Sequence, residues 1–159
     1  MAMTILNLGI LAVVAAFNSG IVALKRSGQT STASVLADKQ MELYRSLTYG
    51  SIALASTSIP ATAPYTTDPA YSATQATTSC TTPLPAECNA SQMISGPDRH
   101  TYRVDTYIID DHAVAASRAV RRVTVVVRDG KSLGKVLARS TSTFDCSTAL
   151  PYAAGCPTT

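Results

Sequence analysis

The chain of 159 residues contains no tryptophan and few charged residues. Charged side chains make up 14% of it, against about a quarter in an ordinary globular domain. No charged residue occurs before Lys25, and no proline occurs before Pro60. The formal net charge of +3 is too small by itself to indicate a nucleic-acid partner. The lack of charge therefore predicts an apolar beginning, and the lack of proline permits a long helix there.

Residues 1–24 form a nearly continuous apolar run, which ends at Lys25 and Arg26. A helix over these residues would be about 36 Å long, enough to cross the hydrocarbon core of a bilayer. A secretory signal peptide needs a cationic segment before its apolar core, and none precedes Lys25. A simple anchor would leave the later cysteines in the reducing cytoplasm. A plain transmembrane anchor thus fits the length of the run but not the cysteine pairs.

The helical pattern continues beyond the apolar run, and we assign residues 1–54 to one long helical segment. Asn18, Ser19 and Gly20 interrupt the run. Such polar and small residues can mediate close packing between helices. The alternative, which we slightly favour, is local loosening, because glycine costs about 1 kcal/mol relative to alanine in a helix. Further on, leucines recur at spacings that place them on one helix face. We expect this stripe to pack against a globular head: Leu36, Leu43, Leu47 and Leu54.

The first third of the chain resembles a known family. The segment Ala2-Met3-Thr4-Ile5-Leu6-Asn7-Leu8-Gly9-Ile10-Leu11-Ala12 is similar to the helix of type IV pilins, closest to minor pilins and pseudopilins. The segment Leu36-Ala37-Asp38-Lys39-Gln40-Met41-Glu42-Leu43-Tyr44-Arg45-Ser46-Leu47 is similar to the stretch that follows in those proteins. Family members begin with a leader ending in glycine and carry an early glutamate. No acidic residue precedes Asp38 here, so that glutamate matches no position of this chain.

The resemblance implies a structural subunit of an extracellular, type IV pilus-like filament on a prokaryotic cell surface. Its implied partners are copies of itself, the inner-membrane pilus assembly machinery, and the cytoplasmic membrane before assembly. Minor pilins and type II secretion pseudopilins are related alternatives, and a membrane-anchored binding protein is the alternative from another class. The filament core would be formed by apolar residues of the first half of the helix: Ile5, Leu6, Leu8, Ile10, Leu11, Val13, Val14, Phe17, Ile21, Val22 and Leu24.

Residues 55–98 are rich in serine, threonine and proline, a composition that predicts a loop. The four cysteines form two close pairs, which indicates an oxidising compartment. Of the three connectivities that four cysteines allow, we favour the nearest-neighbour one, Cys80–Cys88 with Cys146–Cys156. Zinc is the competing interpretation, but the short Cys-x-x-Cys spacings of zinc sites are missing.

Residues 99–159 are expected to form an antiparallel sheet followed by a C-terminal disulfide loop. Alternation predicts a strand at 100–109, and a β-branched run predicts one at 120–128. Asp129-Gly130 then signals a tight turn, and 132–144 is long enough for a third strand. The sequence thus predicts an α+β fold, in which the amphipathic second half of the helix packs on a small antiparallel sheet. The resemblance implies the same pilin-like order, with Cys146–Cys156 holding the C-terminal loop on the sheet.

No residue pattern in the chain supports catalysis. Gly130-Lys131-Ser132 lacks the leading glycine of a phosphate loop and lies between two predicted strands. His100 lies apart from His112, and Asp110-Asp111-His112 is more typical of a solvated turn than of a metal or acid–base site. No nucleophile or second ligand cluster is spaced to join these residues. We therefore predict a protein that is not an enzyme and that needs no metal or cofactor.

Basic residues are concentrated between positions 99 and 139, a segment with nine lysines and arginines but only four acidic residues. A polyanion such as DNA is a further candidate partner for them. We favour the alternative, a solvated outer face of the sheet or ion pairs to neighbouring subunits. The residues that would contact a polyanion are Arg103, Arg121, Arg128, Lys131 and Arg139.

Overall fold

The computed structural model describes residues 2–111 and 119–146, except for the side chains of helix residues 2–9, 11 and 12. The fold is α+β, with one long helix and a four-stranded antiparallel sheet, which confirms the predicted class. The elements follow in the order α1 (Ala2–Arg45), β1 (Leu54–Ala55), β2 (Thr77–Thr78), β3 (Ser91–Ser95), β4 (Thr101–Asp110), β5 (Val120–Asp129) and β6 (Val136–Asp145).

The helix α1 runs without interruption through residues 18–20, so the predicted loosening there is not observed. The helix ends at Arg45, earlier than predicted. The Ser46 hydroxyl donates to the carbonyl oxygen of Leu43 at 2.7 Å, and the Ser46 N–H also reaches that oxygen, at 3.2 Å. These bonds occupy a carbonyl group that a further helical turn would need. Leu54, predicted to lie on the helix, lies instead in β1.

The face of α1 that packs on the head is centred on small side chains. Four of its residues are at most 2% exposed: Ala33, Ala37, Met41 and Tyr44. Leu36 and Leu47 pack at the edge of this core, and Leu43 is half-buried. The predicted leucine stripe therefore lies beside the contact rather than at its centre. Alanine at two successive turns lets the helix approach the sheet closely, because side-chain size sets the packing distance.

The sheet has the order β3-β4-β5-β6, and each neighbouring pair is antiparallel. Tyr102 and Thr106 of β4 lie against α1, near Thr32 and Tyr44. The strand β3 lies inside the segment predicted as loop, so that prediction was wrong for residues 91–95. The strand β6 begins later than predicted because residues 132–135 form a turn, in which the N–H of residue 135 donates to the carbonyl oxygen of residue 132 at 2.8 Å.

The other face of the sheet is covered by the segment between β1 and β2. The Tyr65 ring stacks on the Tyr107 ring, with centroids 4.4 Å apart. The Tyr65 hydroxyl donates to the carbonyl oxygen of Thr106 at 2.7 Å, and the Tyr107 hydroxyl donates to that of Tyr65 at 3.1 Å. This face is therefore packed over β4, which is buried on both sides. At β6 the same face is exposed, at Arg139, Thr141 and Thr143. The head has three layers: helix, sheet and covering segment.

The disulfide Cys80–Cys88 is present, which confirms that part of the predicted connectivity. It closes a loop that is attached to the helix. The Tyr44 hydroxyl donates to the carbonyl oxygen of Glu87 at 2.8 Å, and Gln40 Nε2 donates to that of residue 86 at 3.1 Å. Cys146 is buried directly after β6. Its predicted partner, at position 156, lies outside the described residues, so the second pairing stays a prediction.

Candidate functional site

The part of α1 that precedes the head, residues 13–24, is exposed along its whole length, and we call it the apolar arm. Phe17 is 69% exposed and Leu24 is 76% exposed. Leaving such a side chain in water rather than burying it costs about 1.5–3 kcal/mol. Contiguous apolar surface of this kind marks a site for docking to protein or membrane.

The largest side chains of the apolar arm lie on the side of α1 that faces away from the head. Val13, Phe17 and Leu24 line one shallow groove. Val35 follows Phe17 by about five helical turns, so it lies on the same face, and it is 64% exposed. Ala33, only two positions from Val35, is fully buried against the head. A partner bound to this face would contact the arm and leave the head outside.

Seven of the eleven predicted filament-core residues have described side chains, and all seven are 49–76% exposed: Ile10, Val13, Val14, Phe17, Ile21, Val22 and Leu24. The other four belong to α1, but their side chains lie outside the described residues: Ile5, Leu6, Leu8 and Leu11. Within the part of the chain that the structure describes, no helix combines the length and hydropathy of a membrane span.

Three of the five predicted polyanion contacts share the sheet face opposite α1, where carboxylates pair with them. Arg103 Nε donates to Asp105 Oδ1 at 2.8 Å, and Arg128 Nε donates to Asp105 Oδ2 at 3.0 Å. Asp68, from the covering segment, pairs with Arg128 and accepts two hydrogen bonds of 2.9 Å from Arg139 Nη2. Each of these three cations has a carboxylate partner within the chain, and two carboxylates serve all three, so this face is less basic than the sequence suggests.

The remaining two predicted polyanion contacts lie elsewhere. Arg121 Nε donates to Asp110 Oδ1 at 2.7 Å, and its Nη1 donates to the carbonyl oxygens of Tyr49 and Ile52 at 2.8 and 2.9 Å. These bonds hold the segment after α1 against the sheet. Lys131 lies in the turn between β5 and β6. The predicted basic stripe is therefore not formed, because its members are divided between two faces of the sheet and a turn.

Lys131 belongs instead to a cleft of about 390 Å³ between α1 and the turns β3–β4 and β5–β6, which we call the junction cleft. Each of the three elements contributes one cation: Lys25, Arg99 and Lys131. Among the described residues, none of these three cations has an ion pair. Gly96 brings the β3–β4 turn close to α1, because a Cβ atom there would lie 3.1 Å from Thr32 Cγ2.

Asp98 lines the junction cleft and Asp129 lies near it, and both carboxylates are bonded to groups of the head. Asp98 accepts the Tyr102 hydroxyl at 2.6 Å, and this bond lowers the pKa of Asp98. Asp129 lies 3.1 Å from His100 Nε2 and accepts the N–H of Lys131. Burial raises the pKa of Asp129, but these contacts together lower it by more, so the net shift is downward. Both carboxylates are thus ionised at neutral pH, yet they are directed towards the head.

No group of three or more histidine, cysteine or acidic side chains in residues 2–111 and 119–146 is arranged to hold a metal ion. Asp110 pairs with Arg121, and Asp111 lies 3.5 Å from Arg122. His112, the last residue of the predicted solvated turn, lies outside the described residues.

In comparisons with known proteins, no family model, no curated protein and no solved structure matches this chain. The resemblance of its first third to type IV pilins therefore stays a prediction. The fold is compatible with that prediction, since a long helix followed by an antiparallel sheet is the order that the resemblance implies.

Proposed function

We propose that this chain is the structural subunit of an extracellular filament, assembled by bundling of its apolar helices. The exposed apolar arm is the observation that supports the proposal most directly, with Phe17 and Leu24 at 69% and 76% exposure. Other copies of the chain supply apolar surface of the same kind, and its burial would drive assembly. A heterologous contact that does not close on itself generates a helical polymer.

The two-sided character of α1 also supports a bundle. Its buried residues, such as Ala33 and Tyr44, contact the head, whereas Phe17 and Val35 lie on the opposite face. Helices packed through the Phe17 face would gather in the centre and carry their heads on the outside. A subunit of this shape needs no catalytic residues, because its function follows from the fibre.

Within this proposal, the finer assignment is a type IV pilus-like filament on a prokaryotic cell surface. The resemblance of residues 2–12 and 36–47 supports it, and the disulfide Cys80–Cys88 suits an oxidising exterior. Before assembly the subunit would be held at the cytoplasmic membrane, from which the inner-membrane pilus assembly machinery would transfer it into the fibre.

Electron microscopy of sheared cell-surface material tests the proposal. Fibres containing this chain are expected from the wild type and not from Phe17→Asp, because the charge would enter the helix bundle. Met93→Asp is the matched control, since Met93 is apolar and 57% exposed but lies on the head, in β3. Equal fibre yields from Phe17→Asp and the wild type would contradict bundling through the arm.

Two other results would redirect the assignment. A chain that remains in the detergent-soluble membrane fraction and never enters fibres would be a membrane-anchored binding protein. A chain found only in trace amounts at fibre tips would be a minor pilin or a pseudopilin.

A further inference from the structure

We propose that the junction cleft binds the phosphate groups of an anionic lipid bilayer while the apolar arm of the unassembled subunit lies in the hydrocarbon. The residues that would contact the phosphates are Lys25, Arg99 and Lys131. The inference rests on the proposed function only in its use of the arm, and it concerns the subunit before it enters a fibre.

The arm and the cleft follow one another along the axis of α1. Residues 13–24 extend about 18 Å, slightly more than one leaflet of a hydrocarbon core that is about 30 Å thick. The helix residues that line the cleft begin at Lys25, directly after the arm, and continue to Thr32. The cations would therefore stand in the headgroup layer, about 5–7 Å thick, where the negative charge of the bilayer lies.

The charge of the cleft indicates an anionic partner. Three cations from three elements line it without an ion pair among the described residues, against one carboxylate, Asp98, which is bonded to Tyr102. The excess of positive charge favours an anion there. The arginines of the sheet face, by contrast, have carboxylate partners within the chain. Two further exposed cations lie in the same elements as the cleft residues: Arg26, next to Lys25 in α1, and Lys135, in the same β5–β6 turn as Lys131.

The backbone of Arg99 provides an independent observation. Its φ angle is 59°, in the left-handed region that favours glycine, and no other non-glycine residue described has a positive φ. Glycine would relieve the strain at this position of the β3–β4 turn. An arginine there retains a cation in the cleft at a cost in stability, which points to a use for its charge.

Flotation of the full chain with lipid vesicles tests the inference. One set of vesicles contains phosphatidylcholine alone, and the other contains phosphatidylcholine and phosphatidylglycerol in equal amounts. Each of Lys25→Gln, Arg99→Gly and Lys131→Gln should lower the partition coefficient for anionic vesicles about fivefold. The same substitutions should leave partition onto neutral vesicles unchanged, because the arm is intact. Added salt should diminish the preference for anionic vesicles.

Lys39→Gln is the matched control for these substitutions. Lys39 is an exposed cation of α1 without an ion pair among the described residues. It lies about 21 Å from Lys25 along the helix, well beyond a screening length of about 8–10 Å. Its substitution should change neither partition coefficient. Arg99→Gly also separates lipid binding from misfolding, since its melting temperature should equal or exceed that of the wild type.

Equal partition of all variants and the wild type onto anionic vesicles would overturn the inference. So would variants that keep vesicle binding but lose binding to double-stranded DNA in a gel shift, because the cleft would then be a nucleic-acid site. Displacement by inorganic phosphate beyond the effect of chloride at equal ionic strength would identify a site for free phosphate instead. Fibre formation is measured separately, so loss of fibres with lipid binding intact would contradict only the proposed function.

Discussion

Asp105 and Arg128 form an ion pair in the middle of the sheet, with Arg128 Nε 3.0 Å from Asp105 Oδ2. Both side chains are at most 5% exposed. Asp105 also accepts hydrogen bonds from Ser91 Oγ at 2.7 Å and from Arg103 Nε at 2.8 Å. A buried pair of this kind adds little net stability by itself, but removal of one partner leaves an uncompensated charge in the interior.

Asp105→Asn should therefore lower the free energy of unfolding by about 3–5 kcal/mol, because Arg128 would remain buried with less compensation. Urea denaturation of the full chain measures the loss. Asp111→Asn is the control: Asp111 lies 3.5 Å from Arg122, and both side chains are 46% exposed. Asp111→Asn should lower the free energy of unfolding by no more than about 1 kcal/mol, as for other surface ion pairs. Losses of equal size would show that the Asp105 network has no special role.

Asp68 lies in the covering segment between β1 and β2. Its carboxylate pairs with Arg128 and Arg139 on the sheet face opposite α1. Asp68→Ala should release the exposed Arg139 guanidinium, while Arg128 keeps its bond to Asp105, and we expect stronger retention on an immobilised polyanion such as heparin than for the wild type. Adding Arg139→Gln to Asp68→Ala should remove much of the gain. Unchanged retention in Asp68→Ala would mean that the face stays covered without this carboxylate.

The class of the fold and two of its long strands could be predicted from the sequence because they depend on local patterns. Alternation predicts a strand at 100–109 and a β-branched run predicts one at 120–128, and the structure has Thr101–Asp110 and Val120–Asp129. The strand Ser91–Ser95 has no such run, since it contains serine and glutamine, and its pairing with β4 comes from the tertiary fold.

The contacts at the candidate sites could not be predicted, because they join segments that are distant in the chain. Nothing near Asp68 indicates that it pairs with Arg128, so the sequence suggests a free basic stripe. The junction cleft likewise depends on the fold, which places Lys25 of α1 and Arg99 of the β3–β4 turn along the same cleft. Along α1 the leucines dominate the hydropathy pattern and conceal the alanines, including Ala33, at which the helix approaches the sheet.

Buried tyrosines make the fold sensitive to alkali. Burial, the largest cause, raises the pKa of Tyr44 to about 12, and burial together with the bond to Asp98 raises that of Tyr102 to about 12. The folded state thus favours the neutral phenols. This stability is fully present below pH 10, the ordinary pKa of tyrosine, and it is lost as the pH rises through about 12.

We therefore expect the free energy of unfolding to fall between pH values of about 10 and about 12, with a smaller fall in Tyr44→Phe. Denaturation curves at a series of pH values measure the fall, and tyrosinate absorbance reports the ionisation. Complete titration of the native protein near the ordinary pKa would show that the tyrosines are open to solvent.

The Cys80–Cys88 disulfide closes a short loop whose carbonyl groups accept hydrogen bonds from α1. Replacing both cysteines with serine should lower the free energy of unfolding by about 2–3 kcal/mol, through greater freedom of the unfolded chain. Thermal melts under oxidising conditions measure this. Glu87→Gln alters the same loop but keeps the disulfide and the backbone carbonyl, and it should change stability by less than about 0.5 kcal/mol. If both variants lost similar stability, the effect would come from altering the surface of the loop and not from removing the disulfide.

Gly20 and Gly28 both lie in α1, and a Cβ atom built at either would have no described atom within 4 Å apart from the adjoining backbone of the helix. Alanine is better than glycine in a helix by about 0.8–1.0 kcal/mol, so either substitution should increase protection of α1 from hydrogen exchange in the unassembled subunit. In a bundle, a glycine lets neighbouring helices approach closely, and a methyl group there would separate them.

Gly20→Ala, inside the apolar arm, should therefore stabilise the isolated helix and reduce fibre yield in sheared material. Gly28→Ala, beyond the arm, should stabilise the helix without reducing fibre yield. Equal fibre yields from Gly20→Ala and the wild type would show that the helices do not meet closely at this turn of the arm.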